Sequence, residues 1–243
     1  MSTNSKYTKV NLEFNNIDNL LSKESFQEIH PLLPKRNFRM TVCGGSGSGK
    51  TSFIVQLITR HLIVRGLYIC AKHLDQPKMV YIIDFYRKME KDLSKKLKKE
   101  VSIIKVITND LEEFPDVSDI EGEDNIVIFD DMVMEKDPTN KIVNYYIRGR
   151  HHNISSFYLS QSFFTVPKNI RLNTNIYALF NMVSLNEVSR IHREVASDLT
   201  KKQFIDIFNE ATDGFNFLYI DTTHSKKILK YRKNLDETLM DFI

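Results

Sequence analysis

The chain has 243 residues, of which 42% are hydrophobic and 27% are charged, an ordinary composition for a folded globular protein. This length is sufficient for one large α/β domain with a sizeable core. No apolar run approaches the ~20 residues that a membrane-spanning helix needs. The N-terminal sequence Met-Ser-Thr-Asn-Ser-Lys also lacks the apolar stretch of a signal peptide. The composition therefore excludes a membrane-spanning chain, and we expect a soluble, intracellular protein.

Cysteine usage agrees with that expectation. The chain contains two cysteines, Cys43 and Cys70, and each falls inside an apolar segment that predicts a buried strand. We interpret both as small hydrophobic residues of a reducing compartment rather than as a disulfide or a metal-binding pair.

The net charge of +3 conceals a local segregation of charge. Between residues 108 and 124 there are eight acidic residues and no Lys or Arg, so the rest of the chain carries 34 basic and 23 acidic residues, a net charge of +11. A body this basic could contact a polyanion. Composition by itself favours the simpler alternative of a solvated basic surface.

Residues 1–37 show little periodicity. Ile17, Leu20 and Leu21 indicate a short helix, and Pro31 and Pro34 interrupt the chain before the first strand. We interpret residues 1–37 as an N-terminal arm that packs on the core or on a neighbouring subunit, and residues 38–243 as a single domain.

The first strong motif fits a phosphate-binding P-loop. Gly44, four further residues and Gly49-Lys50-Thr51 match G-x-x-x-x-G-K-[ST], between an apolar strand and a helical repeat. Glycines let backbone N–H groups turn toward phosphate oxygens, and the following helix directs its positive end at the same anion. Lys50 would reach the β- and γ-phosphates, and the Thr51 hydroxyl would bind Mg²⁺. The predicted nucleotide-binding residues are Gly44, Gly45, Ser46, Gly47, Ser48, Gly49, Lys50, Thr51 and Ser52.

The next elements continue the alternation of strands and helices. Residues 67–71 predict a second buried strand, and the polar residues 72–77 follow it where strands of such sheets meet ligands. A helix is expected from about residue 78 to 99, with lysines that suit its negative C-terminal end. Residues 101–106 predict a third strand, and the acidic segment then forms a surface connection.

The second strong motif is a buried strand that ends in two carboxylates. In residues 125–131, four apolar residues precede Asp130 and Asp131, at the strand end where open α/β sheets bind their ligands. In a P-loop protein this is the Walker B position. Asp130 should hold Mg²⁺ opposite Thr51, and Asp131 is placed to activate the attacking water as general base.

Beyond this strand, the pattern predicts a helix over 140–150 and a strand over 154–159 that ends in Ser160-Gln161-Ser162. Gln161 could hydrogen-bond a γ-phosphate or the attacking water, or simply cap a loop. The pair His151-His152 lacks Cys or His partners at metal-ligand spacing, so we set a metal site aside.

The C-terminal part predicts further strands at 176–180 and 215–221, separated by a helix-rich region that ends near residue 211. Residues 226–233 predict a basic edge strand. Its charge would deter edge-to-edge aggregation or face nucleic acid.

Taken together, these motifs resemble the poxvirus-type genome-packaging ATPases of the FtsK/HerA superfamily, especially the compact forms of virophages. The resemblance covers residues 38–180. Its most specific part is Arg148-Gly149-Arg150-His151-His152-Asn153 with the later Ser160-Gln161-Ser162. It implies an α/β fold, namely a RecA-like P-loop NTPase core with a mostly parallel central sheet flanked by helices. The departure is Asp131, where many relatives carry Glu, which leaves the identity of the base open.

The same resemblance implies ATP and Mg²⁺ as cofactors and a homo-oligomeric ring, either a pentamer or a hexamer. It implies that the ring moves double-stranded DNA through sequence-independent phosphate contacts into a preformed capsid at its vertex. The corresponding location is the host cytoplasm at the virus factory, with retention in the virion. The predicted catalytic residues are Lys50, Asp131, Gln161 and an arginine from the neighbouring subunit, chosen from Arg148, Arg150 and Arg171 with Arg150 preferred.

Two other functions fit a P-loop as such. A small nucleotide kinase would need a lid and an acceptor pocket, and no Arg-rich lid motif is present. A nucleotide-dependent switch that binds GTP would need the guanine-reading Asn-Lys-x-Asp, which is absent. Hydrolysis stimulated by DNA would distinguish the packaging motor from both.

Overall fold

The computed structural model describes residues 30–132, 140–182 and 184–242. These residues contain nine strands: β1 (Arg39–Cys43), β2 (Gly66–Ala71), β3 (Ile104–Thr108), β4 (Asn125–Asp130), β5 (Ile154–Ser160), β6 (Ile176–Phe180), β7 (Phe217–Asp221), β8 (Tyr231–Lys233) and β9 (Glu237–Thr238). All nine lie in one sheet in the order β3-β2-β4-β5-β1-β6-β7-β8-β9. The predicted helix around Ile17, Leu20 and Leu21 lies outside the described residues.

The helices lie in the connections between these strands: α1 (Lys50–Arg60), α2 (Pro77–Leu97), α3 (Lys141–Arg148), α4 (Lys168–Asn173), α5 (Leu185–Val195), α6 (Lys201–Ala211) and the single turn α7 (Lys227–Lys230). Short 3-10 helices lie at Val117–Asp119, Gly149–His152, Phe163–Thr165 and Met240–Phe242. The predicted helices at 78–99, 140–150 and 185–211 correspond to α2, to α3 with its 3-10 extension, and to α5 with α6.

The sheet has a parallel half and an antiparallel half. Strands β3, β2, β4, β5, β1 and β6 pair in parallel, whereas β7, β8 and β9 continue the sheet antiparallel. Parallel pairing needs crossovers that cover both faces. The predicted fold class, a mostly parallel central sheet flanked by helices, is confirmed.

Two apolar cores follow from the alternation of side chains along each strand. One face of the sheet packs against α1 and α2, with Val42, Ile69 and Phe157 among its buried strand residues. The other face packs against α3, α4, α5 and α6, with Phe129 and Leu179 among its buried residues. Because both faces are covered, β2 reads as an unbroken apolar run and each of its six residues is buried.

Strand β3 begins at Ile104, three residues later than the predicted start. Side chains of α2 hold the backbone before it enters the sheet. The Val101 N–H donates to Ser94 Oγ at 2.9 Å, and the N–H groups of Ile103 and Ile104 donate to Glu90 Oε1 at 2.5 and 2.7 Å. The apolar pattern of the sequence does not indicate these hydrogen bonds from the backbone to side chains, so it placed the start of β3 too early.

The acidic connection is anchored more firmly than a surface loop would be. Phe114, Val117 and Ile120 are buried. The Lys141 ammonium donates to three backbone carbonyls of the segment, including Phe114 O at 2.7 Å, and Tyr145 Oη donates to Pro115 O at 2.7 Å. The three apolar residues spaced among the acids are the signal of this anchoring.

The predicted basic edge strand at 226–233 is wrong. Its first half is the short helix α7, and β8 pairs on both sides, with β7 and β9. Arg232 is 2% exposed, and its guanidinium lies over the Tyr219 ring and donates to Leu32 O at 2.8 Å. Lys230 and Lys233 pair with Asp198 and Glu210. Because these groups are satisfied within the fold, most of this segment is unsuited to nucleic-acid contact.

Both cysteines are buried free thiols, as predicted. Among the residues that the structure describes, no helix is long and apolar enough to cross a membrane.

Candidate nucleotide-binding site

The predicted P-loop motif runs from Gly44, just after β1, to Thr51, the second residue of α1. The Gly44 N–H donates to Ser160 O at 3.3 Å and the Gly45 N–H to Asn181 O at 3.5 Å, so the loop is attached to the ends of β5 and β6. A Cβ on Gly44 would lie 2.5 Å from Phe180 Cβ. Gly49 precedes α1 with φ of 110°. Glycine is required at both positions, at the first for space and at the second for backbone conformation.

Lys50 folds back over the loop that precedes it. Its ammonium donates to Gly44 O at 2.6 Å and to Gly45 O at 2.9 Å. Burial lowers the pKa of this half-buried group, and the negative charge of Asp130 partly opposes the shift. The lysine is thus held inside the loop, where it can meet an anion without a large rearrangement.

Two carboxylates lie at the end of β4, on Asp130 in the strand and on Asp131 just after it. Asp130 and Asp131 line the same cavity as Lys50. The pKa of Asp130 is raised to about 6, chiefly because burial disfavours its charged form and next because Asp131 is adjacent, while Lys50 and His73 act in the opposite direction. Asp131 has φ of 54° and its N–H donates to Leu159 O at 3.3 Å. This turn places consecutive carboxylates at one cavity.

The cavity encloses about 330 Å³. It brings together the loop, both carboxylates and Gln161, which come from three separated parts of the sequence. Gly44, Gly45 and Ser52 do not line it: the first two present their carbonyls to Lys50, and Ser52 opens onto a neighbouring groove. The lining residues are Ser46, Gly47, Ser48, Gly49, Lys50, Thr51, His73, Gln76, Pro77, Lys78, Asp130, Asp131, Leu159, Ser160 and Gln161.

The donor set suits a Mg²⁺-nucleotide. Thr51 offers a hydroxyl and Asp130 a carboxylate across the same cavity, which are the hard oxygen ligands that Mg²⁺ takes together with phosphates and water. Ser48 Oγ is buried and has no hydrogen-bond partner among the described residues, so a hydroxyl in the loop is free to donate. Within that part of the chain, no cluster of three or more His, Cys, Asp or Glu forms a metal site made of protein ligands alone.

Among the cavity residues that the sequence analysis did not name as site residues, three with polar or charged side chains come from the segment after β2: His73, Gln76 and Lys78. They lie in or just after the polar loop that follows β2. Their position beyond a strand end was the available signal, but no motif assigned them a role.

A fourth missed residue, Glu187, acts from outside the cavity. Its Oε1 accepts from Ser162 Oγ at 2.6 Å and from the Phe163 N–H at 2.8 Å. These bonds fix the turn that follows Gln161. Glu187 lies on α5, and nothing in its local sequence indicates this contact.

The three predicted arginines occupy different environments. Arg148 and Arg150 are exposed at the end of α3 and in the 3-10 helix before β5, which is the opposite edge of the sheet from the cavity. Arg171 is instead engaged within its own chain. It pairs with Glu194 at 2.9 Å, donates to Val166 O at 2.5 Å, and lies over the Phe163 and Phe164 rings. The structure brings none of the three to the cavity of its own chain.

By its fold and its site, the chain is a nucleotide-binding P-loop protein of the α/β class. The poxvirus A32 protein family matches residues 23–225, well over half of the chain. The chain therefore belongs to this family of genome-packaging ATPases, and the resemblance inferred from its motifs is confirmed. No curated protein sequence matches the chain.

Solved structures are similar to the chain in fold. The DNA-packaging ATPase B204 from Sulfolobus turreted icosahedral virus matches with a TM-score of 0.50 and 16% identity, over 77% of this chain and 93% of that chain. B204 from Sulfolobus turreted icosahedral virus 2 in complex with AMPPCP matches with a TM-score of 0.49 and 14% identity, over 80% and 94%. The N-terminal domain of zonular occludens toxin from Neisseria meningitidis matches with a TM-score of 0.35 and 21% identity, over 61% and 79%.

Proposed function

We propose that this packaging ATPase is a motor that couples Mg²⁺-ATP hydrolysis to movement of double-stranded DNA into a preformed capsid. The observation that carries the proposal is the single cavity shared by Lys50, Thr51, Asp130, Asp131 and Gln161. A phosphate-binding loop alone would serve binding. Two carboxylates and an amide at the same cavity add what hydrolysis of the γ-phosphate requires.

Each residue has a proposed task. The backbone N–H groups of the loop and the Lys50 ammonium bind the phosphates. Thr51 and Asp130 would hold Mg²⁺, which would supply charge neutralisation at the phosphate oxygens. Asp131 takes the proton of the attacking water, and Gln161 orients that water.

Phosphoryl transfer also develops negative charge on the γ-phosphate, which an arginine can stabilise. We propose that a ring of identical subunits supplies it in trans from Arg150 or Arg148. Both are exposed, and neither forms an ion pair within the described residues. Arg171 is the weaker candidate, because its guanidinium is already bound to Glu194 and Val166.

We also propose that residues 38–243 form one motor domain and that residues 1–37 form an arm. Residues 32 and 33 at the end of this arm are buried, and Arg36 pairs with Asp124 at 3.1 Å. A motor of this kind would work in the host cytoplasm at the virus factory, against the capsid vertex, with copies retained in virions.

The test is the ATPase rate of the full chain with and without long duplex DNA, at several protein concentrations. We expect DNA to stimulate hydrolysis, and the rate per subunit to rise with concentration as rings form. DNA of unrelated sequences should stimulate equally, and stimulation should fall steeply with salt because the contacts are to phosphates. An ATPase rate that DNA does not change at any protein concentration would contradict a motor and favour a kinase or switch.

A further inference from the structure

A second groove lies on the other side of the P-loop. It encloses about 460 Å³ and shares Gly47, Gly49 and Lys78 with the phosphate cavity. None of the residues that line it is one of the two site carboxylates or Gln161. Its remaining lining comes from α1, from Phe180 in β6 and Phe217 in β7, and from the loops beside β7 and β8. The two spaces are therefore adjacent halves of one depression around the loop.

The order of groups in a nucleoside triphosphate decides what each half can hold. If the γ-phosphate lies beside Asp130, Asp131 and Gln161, the three phosphates extend along the loop. The α-phosphate, which carries the sugar and the base, then lies at the end of the loop away from those residues. Ser52, which follows Thr51, lines the second groove and a further groove between α1 and α2, but not the phosphate cavity. Of these two grooves, the second also shares Gly47 and Gly49 of the loop with the phosphate cavity, and the groove between α1 and α2 does not. The sugar and base would thus leave toward the second groove.

The groove contains an exposed aromatic ring on a fixed loop, which is suited to binding a base. Phe215, in the loop between α6 and β7, is 81% exposed and is the most exposed large hydrophobic side chain among the described residues. The ring is free, yet its loop is fixed. Asn216 Nδ2 donates to Asp213 O at 2.8 Å, and Asn234 Nδ2 donates to Asn216 Oδ1 at 2.9 Å. A fixed backbone with a free aromatic face is suited to stacking on a flat ligand.

Beneath Phe215 the groove has an apolar floor and one exposed carboxylate. Phe53, Phe180 and Phe217 pack together, with ring centroids 4.4 Å apart for Phe53 and Phe217 and 5.0 Å apart for Phe180 and Phe217. Asp236 lines the same groove and is exposed. Its oxygens can accept hydrogen bonds from N–H groups at the edge of a base. Ligand sites typically combine such an apolar lining with a few polar groups.

We propose that this groove binds the base of the nucleotide, with the base stacked on Phe215 and an N–H edge facing Asp236. This inference rests on the proposed function, because it takes the P-loop as the site of the phosphates. It assigns the contacts with the base to Phe215 and Asp236, which lie in the loops beside β7 and β8.

A competing groove lies between α1 and α2. It also contains Ser52, Gln56 and Lys78, and its aromatic residue is Tyr81, which is 56% exposed. It is lined by two cationic side chains, Arg60 and Lys78, and by no carboxylate. It therefore offers no acidic acceptor for a base N–H, and Tyr81 serves as the matched control for Phe215.

The experiment compares two ligands of the full chain in the presence of Mg²⁺: ATP, and inorganic tripolyphosphate, which has the phosphates but no base. Binding would be measured by calorimetry for the wild type, Phe215→Ala, Phe215→Tyr and Tyr81→Ala. We expect Phe215→Ala to weaken ATP binding about tenfold and to leave tripolyphosphate binding unchanged. Phe215→Tyr should bind ATP like the wild type, since the aromatic face is retained, and so should Tyr81→Ala.

Unchanged ATP binding by Phe215→Ala, or an equal loss for both ligands, would overturn the inference. Weaker ATP binding by Tyr81→Ala instead would assign the base to the groove between α1 and α2. Light scattering on the same samples would measure the oligomeric state. If Phe215→Ala altered the oligomeric state and kept normal ATP affinity, Phe215 would be an interface residue and the inference would also be overturned. A wild type that binds neither ligand would contradict the proposed function itself.

Discussion

The two edges of the parallel strands carry different chemistry. At the carboxyl edge, the segments that follow β1 and β2 and the ends of β4 and β5 surround one cavity with two ammonium groups, two carboxylates and two amides. At the amino edge, the turn before β5 exposes Arg148 and Arg150. Strand β5 has seven residues, which at about 3.3 Å per residue separates the edges by about 20 Å.

This separation has a consequence for function. The cavity holds the groups to which we assign phosphate binding and water activation, but no arginine is among the described residues that line it. The exposed arginines of the amino edge do not line the cavity of their own subunit, so any role of theirs in hydrolysis would have to be in another subunit. Under the proposed function, the carboxyl edge carries the reaction within the subunit and the amino edge makes the contact with the neighbouring subunit.

The largest effects are expected from one substitution at each edge of the sheet. Lys50→Ala should abolish ATP hydrolysis without unfolding the chain, because the ammonium contacts the loop carbonyls and not the core. Arg150→Ala should lower the rate by about 10³-fold or more, the typical contribution of an arginine in trans. The checks are steady-state hydrolysis and thermal unfolding of each variant.

Mixing the variants then separates the edges. Rings that contain Lys50→Ala and Arg150→Ala subunits hold some intact loops beside intact arginines, so activity should partly return. The same mixture with Arg148→Ala identifies the arginine used, and Arg171→Ala is the control, since its internal bonds predict no recovery. If neither exposed arginine gives recovery although mixed rings form, the amino edge does not serve hydrolysis.

A smaller loss is expected from Asp131→Asn, which removes the proposed base and retains the size of the side chain. Turnover should fall by about 10²–10⁴-fold, while Mg²⁺-ATP still binds, because Lys50, Thr51 and Asp130 remain. Binding by calorimetry and single-turnover rates check this. If Asp131→Asn loses metal-dependent binding and Asp130→Asn retains it, the two carboxylates have exchanged roles.

The third prediction concerns the stability of the carboxyl edge. The pKa of Asp130 is about 6 in the folded chain, above its ordinary 3.8, mainly because of burial. Ionisation therefore opposes folding, and the free energy of unfolding should fall as pH rises from about 4 through 6. Asp130→Asn cannot ionise. At about pH 8, without nucleotide or Mg²⁺, we expect it to be more stable than the wild type by about 1–3 kcal/mol.

Urea unfolding at about pH 4 and pH 8 checks this prediction. The gain should vanish at the lower pH, where the wild-type carboxyl is protonated. Asp213→Asn, at an exposed position, is the control and should change little at either pH. A gain of equal size at both values would mean that charge at Asp130 does not limit stability.

The smallest effect concerns Glu187, which holds the turn after Gln161 from α5. Glu187→Ala should lower turnover about tenfold with little change in KM for ATP, because water orientation is disturbed and the phosphate loop is not. Glu187→Gln retains an acceptor oxygen and should recover most of the rate. Glu194→Gln, on the same helix but bound to Arg171, is the matched control. A loss that appears only as a raised KM would argue against a role through Gln161.

The order of the elements and most of the site were predictable from the sequence, because both depend on local patterns. The P-loop spacing, the buried strand before Asp130 and Asp131, and the strand before Gln161 each identify a residue at the end of a strand. Parallel strands then bring those ends to the same edge. This physical rule connects residues 50, 130 and 161 without any knowledge of contacts.

Only the tertiary structure decided the contacts that no local pattern encodes. Glu187, on α5, accepts a hydrogen bond from the turn after Gln161. Arg171 forms an ion pair with Glu194, although its sequence position suited a catalytic arginine. Arg232 lies in a segment whose sequence predicts a basic edge strand, but its side chain is buried and packs over the Tyr219 ring. A charged side chain is exposed or buried according to the partners that the fold places around it, and those partners are distant in sequence. The residue types and their spacing determined the chemistry at the sheet edge, whereas packing decided which charged groups remain free to act.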